Sequence, residues 1–230
     1  MMISVSLILL FCLALTVLPV AKVRLGGADA QPEFSRASWF AMLFAAGMGI
    51  GLMFWGVAEP MTYFSGSSGT PFGVQPLTPQ AADLAMAATI YHWGFHAWAI
   101  YAVIALALAF FSFNCNLPLT LRSAFYPLLG ERCWGWPGHV IDTFAVLATI
   151  FGLATSLGLG AAQVNAGLGM LFGVEDALNT KLSVIIFLTF IAILSVVRGL
   201  EGGVKILSNF NMVLAGMLLL FIAVVGGNIN

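Results

Sequence analysis

Charge is the scarcest commodity in this sequence. Of 230 residues, 8 are Lys or Arg and 9 are Asp or Glu, together 7%, where a soluble domain carries roughly 25%. That shortage excludes an ordinary soluble domain. Cysteine is nearly absent too. Cys12, Cys115 and Cys133 lie in or beside apolar segments with no metal-ligand spacing, which argues against a disulfide framework or a zinc site and reads as small buried hydrophobes. Internal repeats and low-complexity tracts are missing, and so is the helical His-Glu-x-x-His signature of zinc hydrolases. The net charge of −1 says nothing about partners. What remains is 61% hydrophobic residues and a mean hydropathy of +1.03: an all-α integral membrane chain.

A bilayer-spanning helix needs about 20 mostly apolar residues. Six windows qualify, at 3–21, 38–58, 81–112, 139–172, 182–197 and 206–226. The third and fourth exceed a perpendicular span and should tilt or project into water. The fifth is short and should borrow flanking polar residues. Seven cations, Lys22, Arg24, Arg36, Arg122, Arg132, Arg198 and Lys205, fall on one side if the spans alternate. Residues 59–80 and 173–181 on the other side hold Lys181 alone. By the positive-inside rule the seven are cytoplasmic and the chain starts outside. Residues 1–20 lack the basic lead-in of a signal peptide, and cleavage would strand the basic cluster on the translocated side, so a span is expected there. Its abrupt beginning suggests that a native N-terminal segment is missing.

The segment from Gly47 to Pro60 reads Gly-Met-Gly-Ile-Gly-Leu-Met-Phe-Trp-Gly-Val-Ala-Glu-Pro. Each glycine costs a helix about 1 kcal/mol relative to alanine. So many in one span mean backbone that is either packed very tightly or partly unwound. Unwound backbone in lipid is tolerated only inside protein or beside a watery cavity, and discontinuous helices are where secondary carriers bind their solutes. Residues 59–80 read as a loop rich in Ser, Gly and Pro. Residues 117–130 read as a short interfacial helix on the cytoplasmic side.

The third window contains Tyr91-His92-Trp93-Gly94-Phe95-His96-Ala97-Trp98-Ala99-Ile100-Tyr101. On a continuous helix of ~100° per residue, Trp98 and Tyr101 lie ~60° apart and Trp93 shares an arc of ~140° with both. Such a face can cage a quaternary ammonium group; it can equally be an interfacial aromatic belt. His92 and His96, at i and i+4, have metal-ligand spacing with Glu59 as a third candidate, or else hydrogen-bond to neighbouring helices. Glu59 itself sits at the interface or reaches into a vestibule. Ser65, Ser67 and Ser68 have no base placed beside them. Thr149, Thr155, Ser156 and nearby small residues serve helix packing or supply hard oxygens to a sodium ion.

These segments together resemble the betaine/carnitine/choline transporter family. Ala45–Pro60, Tyr91–Tyr101 and Phe151–Gly160 match its motif blocks in order and at the right distances, and the likeness runs from about Ile8 to Val225. The resemblance implies twelve spans with two inverted five-helix repeats. Here it implies residues 1–35 as a peripheral transmembrane helix and cytoplasmic loop, and 36–230 as the first five-helix repeat, with one discontinuous helix and the second repeat absent. It further implies that carbonyls of Ala45 and Met48 help hold a sodium ion, and that Thr149 belongs to a second sodium site. Trp93, Trp98 and Tyr101 are implied to line the route or cage for the trimethylammonium group, with Gly47, Gly49 and Gly51 at the carboxylate end.

Two departures matter. Sodium-coupled relatives carry a threonine one turn beyond Thr149, where this chain has Leu153, so the second sodium site is in question. Choline carriers tend to have an aspartate where this chain has Gly51; glycine there favours a zwitterion such as glycine betaine or ectoine. The family's tryptophan-rich span and remaining sodium ligands have no counterpart in 173–230. The expectation is a truncated symporter for a quaternary-ammonium osmolyte, sodium-coupled and inactive by itself, serving osmoprotection. It would work in a bacterial-type cytoplasmic (inner) membrane, with the lipid bilayer around it and homo-oligomers possible. No bound cofactor, nucleic-acid partner or enzymatic activity is expected. Rivals are a proton-coupled choline or betaine carrier, a membrane metalloprotein using His92 and His96, and a non-transporting ligand sensor.

Overall fold

Backbone polar groups inside lipid must be satisfied within the segment that carries them, and the apolar windows accordingly form helices. The computed structural model describes residues 2–47 and 49–226, and no strand occurs among them. In chain order the helices are α1 (Met2–Val17), α2 (Arg36–Gly47), α3 (Ile50–Ser65), α4 (Pro79–Trp93), α5 (Phe95–Ala109), α6 (Tyr126–Leu129), α7 (Trp136–Phe172), α8 (Leu178–Val197) and α9 (Lys205–Gly226). Among the described residues, Pro79–Asn114, Trp136–Phe172, Leu178–Val197 and Leu200–Gly226 are long and apolar enough to cross a membrane. The bent pair Arg36–Gly47 and Gly51–Ser65 makes a fifth span if counted as one. This is an all-α, multi-pass membrane architecture.

Each expected window is helical, with informative differences. α1 stops at 16 residues, short of residue 21, because Pro19 forces Leu18 into extended backbone and opens a tight turn over Pro19–Lys22. The fifth window grows to 20 residues as α8 recruits Leu178–Lys181. α7, at 37 residues, is roughly 55 Å long at 1.5 Å per residue and overruns a hydrocarbon core of about 30 Å. The third window is interrupted at Gly94, which separates α4 from α5. The stretch expected as a short interfacial helix is instead a broken series of turns, Leu121–Phe125, α6 and Gly130–Trp134, punctuated by Pro127 and by Gly130 at φ +54°.

The chain divides into two compact units. The first comprises Met1–Gln31 and Trp55–Gly152. Within it α1 lies along α5, with the Cys12 thiol 3.5 Å from the Ala99 carbonyl. The Asn114 side chain accepts from Gly26 N–H (3.1 Å) and donates to the Arg24 carbonyl (2.8 Å), tying the basic loop to the end of α5. Asp142 of α7 takes the backbone N–H of Arg122 at 3.1 Å and its guanidinium Nε–H besides, fastening these turns to α7. α4 starts on Thr78, whose hydroxyl accepts from Ala81 N–H at 3.1 Å, with Pro79 at the first helical position where its missing N–H costs nothing.

The second unit comprises Pro32–Phe54 and Leu153–Asn230. Here α2 lies against α9, and the buried Ser38 hydroxyl accepts from Asn209 at 3.3 Å. Gly203 lies so close to the Ser195 carbonyl that no side chain would fit. Asn165 of α7 donates to Asp176 at 2.6 Å, and Asp176 also pairs with Lys181 at 2.7 Å. Most large apolar side chains face outward, the pattern of helices whose apolar faces meet lipid or further helices.

Candidate functional site

The glycine-rich span breaks. α2 ends at Gly47 and α3 begins at Ile50, with Gly49 between them outside any helix. The end of α2 and the start of α3 are therefore helix termini, where carbonyls and N–H groups respectively run out of intrahelical partners. The positive end of one helix axis and the negative end of another meet the same stretch of chain. The Gly49 carbonyl accepts from Met53 N–H at 3.2 Å. A Cβ added at Gly49 or Gly51 would meet nothing within 4 Å. Of the two ways to explain so many glycines, tight packing and unwinding, the local geometry fits unwinding. Ala45 is half-buried in the last turn of α2. Met48, the other residue expected to offer a carbonyl to sodium, lies outside the described residues.

In the first unit the aromatic residues form two groups instead of one arc. Trp98 and Tyr101 share α5, their rings 5.6 Å apart and inclined by 34°, as i and i+3 spacing requires. Trp93 belongs to α4, and the Gly94 break (φ −80°, ψ −143°) interrupts the helical phase on which the single arc depended. Its indole N–H points to Oε2 of Glu59. His92 places Nδ1 2.8 Å from the other oxygen of the same carboxylate. The break also separates the two histidines: His96 belongs to α5 and packs on Tyr91, ring centres 4.3 Å apart and planes inclined by 51°. Groups of three or more His, Cys, Asp or Glu able to hold a metal do not occur among the described residues.

Glu59 was expected at an interface or in a vestibule, with a loop starting there. It is 6% exposed and lies inside α3, which continues through Pro60 to Ser65. The loop begins at Gly66, where φ is +74° and a Cβ would strike Pro76 at 2.7 Å. Sequence reasoning underrated this carboxylate; the available signal was two side-chain N–H donors side by side at His92 and Trp93. Thr149 of α7 is exposed and its hydroxyl donates to the Ala145 carbonyl at 2.8 Å, leaving its lone pairs free of that bond. Leu153, one turn on, is 55% exposed and offers no oxygen.

Comparison with known proteins adds a finding that local geometry cannot supply. The model of the betaine/carnitine/choline family of transporters matches residues 1–230. The chain belongs to that family. It is 58% identical over 221 residues to glycine betaine transporter 1 of Vibrio parahaemolyticus, covering 96% of this chain and 42% of that protein. It is 51% identical to the glycine betaine transporter OpuD of Bacillus subtilis (96% and 43%), and 43% identical to the high-affinity choline transport protein of Escherichia coli (98% and 33%). The chain thus spans less than half the length of the curated relatives it matches.

Proposed function

We propose that these residues form one half of a secondary carrier that moves glycine betaine, or a zwitterion like it, across a bacterial cytoplasmic membrane. The observation that carries this reading is the open helix break at Gly47–Gly49 in a chain that also presents the Trp98–Tyr101 pair. Aromatic faces attract a trimethylammonium group through their quadrupoles, each contact being worth about 0.5–2 kcal/mol. Backbone N–H groups at the start of α3, on the positive end of its dipole, suit a carboxylate. Gly51 leaves that end without an anion, which suits a solute bringing its own carboxylate. Residues 36–230 are read as one five-helix repeat and 1–35 as a peripheral element. Alternating access needs a second repeat to move against, so the 230 residues by themselves are expected not to transport.

Coupling to sodium is the companion proposal, with the Ala45 and Met48 carbonyls at one ion and Thr149 at another. Leu153 favours a second reading, in which protons drive the carrier and the Thr149 region holds no ion. Uptake of radiolabelled glycine betaine with sodium replaced by potassium separates them. Sodium coupling predicts loss of accumulation; undiminished uptake that follows an imposed proton gradient supports the second reading.

A further inference from the structure

We infer that Glu59 is a positioning residue for the Trp98–Tyr101 pair, acting through a hydrogen-bonded chain that crosses the Gly94 break. Glu59 is 6% exposed, and a buried carboxylate is costly unless its oxygens are bonded. Both are: Oε2 accepts the Trp93 indole N–H and Oε1 lies 2.8 Å from His92 Nδ1. Those donors are adjacent residues of the last turn of α4, so one carboxylate on α3 grips the end of that helix from two sides. The next link is the Trp93 carbonyl. Being in the last turn, it has no partner within its own helix, and it accepts the Trp98 indole N–H at 3.0 Å. Trp98 in turn stacks on Tyr101.

Burial does not fix that pair, since Trp98 is 37% and Tyr101 66% exposed. Nor does a continuous helix carry rigidity into it, because Gly94 interrupts the coil. The bond from Trp98 to the Trp93 carbonyl sets the indole plane, and Glu59 sets where Trp93 stands. Loss of the carboxylate would release Trp93, then Trp98, and the aromatic face presented to a cation would lose its orientation. Glu59 needs no contact with the solute for this.

The inference rests on the reading of Trp98 and Tyr101 as substrate-facing, so its test includes a control for that reading. Radiolabelled glycine betaine uptake is measured for the full-length carrier that contains these residues, with Glu59→Gln, Glu59→Ala, Trp93→Phe, the double variant Glu59→Gln/Trp93→Phe, and Trp98→Ala. Charge-assisted hydrogen bonds of this kind correspond to about a tenfold effect. Glu59→Gln and Trp93→Phe should therefore each raise the half-saturation concentration about five- to tenfold, with the maximal rate per folded carrier within about twofold. The double variant should be no worse than either single one. A role confined to stability would lower the amount of carrier and leave half-saturation alone, and that result overturns the inference. Additive effects in the double variant overturn it as well. Unchanged half-saturation in Glu59→Gln alongside a large rise in Trp98→Ala removes the relay and leaves the binding reading standing. If Trp98→Ala also changes nothing, the binding reading falls and takes the relay with it. Should Glu59→Ala fail to fold, Glu59→Gln and Trp93→Phe decide.

Discussion

The helix breaks at Gly94 and at Gly49 differ in what surrounds them. At Gly94 the backbone passes so near the Ile90 carbonyl that a Cβ would collide with it. The freed Trp93 carbonyl there accepts from the Trp98 indole, and Glu59 holds the side chains of Trp93 and His92 beside it. At Gly49 a Cβ would meet nothing within 4 Å. The first break is a filled elbow whose glycine is demanded by close approach. The second is an open interruption whose glycines leave backbone accessible. A glycine is therefore no evidence of a binding site by itself; its surroundings decide whether it serves packing or a ligand.

The sharpest way to break this comparison is to add one methyl group at each place. Gly94→Ala should destabilise the chain by about 2 kcal/mol, as overpacking usually does, lowering its thermal midpoint in detergent by roughly 4–8 °C. Gly49→Ala should shift the midpoint by about 1 °C or less, since removing a flexible residue meets no collision, yet impair glycine betaine uptake by the full-length carrier. Equal midpoint shifts in the two variants would remove the distinction.

Next in size is Trp98→Ala. One lost cation–π contact predicts a rise of about 3- to 30-fold in the half-saturation concentration for glycine betaine, readable in the same uptake assay; a belt tryptophan would leave it unchanged. Gly51→Asp is expected to move preference from glycine betaine toward choline by about tenfold, because a carboxylate repels the zwitterion's own and attracts a bare cation. Competition between the two labelled solutes reads this out, and an unaltered ratio would count against placing the substrate carboxylate near Gly51.

The smallest effect lies outside the spans. The Tyr126 hydroxyl donates to Glu131 at 2.7 Å, and that bond, with the carboxylate's charge, holds its pKa above the ordinary tyrosine value. A raised folded pKa means the contribution to stability is complete below the unfolded value near 10. It is lost as pH rises through the folded value. Glu131→Gln should return the tyrosinate absorbance titration toward the ordinary position; an unmoved titration would show the bond to be unimportant.

The distribution of apolar windows made the spans legible, because a helix in lipid leaves little choice of structure. The break near Gly49 was legible for a related reason: several glycines close together in one span have few physical explanations. Gly94 was not, because a lone glycine between aromatics is compatible with a continuous helix, and the close approach to Ile90 that distinguishes it is three-dimensional. Glu59 was misjudged from its neighbour. Pro60 reads as the end of a helix, yet the helix continues, and the partners that make burial of a carboxylate tolerable lie more than thirty positions away. The likeness of three motif blocks to one family carried the family membership, which periodicity and spacing could not supply.

The central claim is that backbone near Gly49 is free to face a solute. Hydrogen exchange at the amides of residues 49–52 in the full-length carrier, with and without glycine betaine and sodium, tests it most directly. The account predicts exchange much faster than in the middle of α7 when solute is absent, and marked slowing when glycine betaine and sodium are added. Exchange as slow as that of α7, and indifferent to the solute, would contradict it.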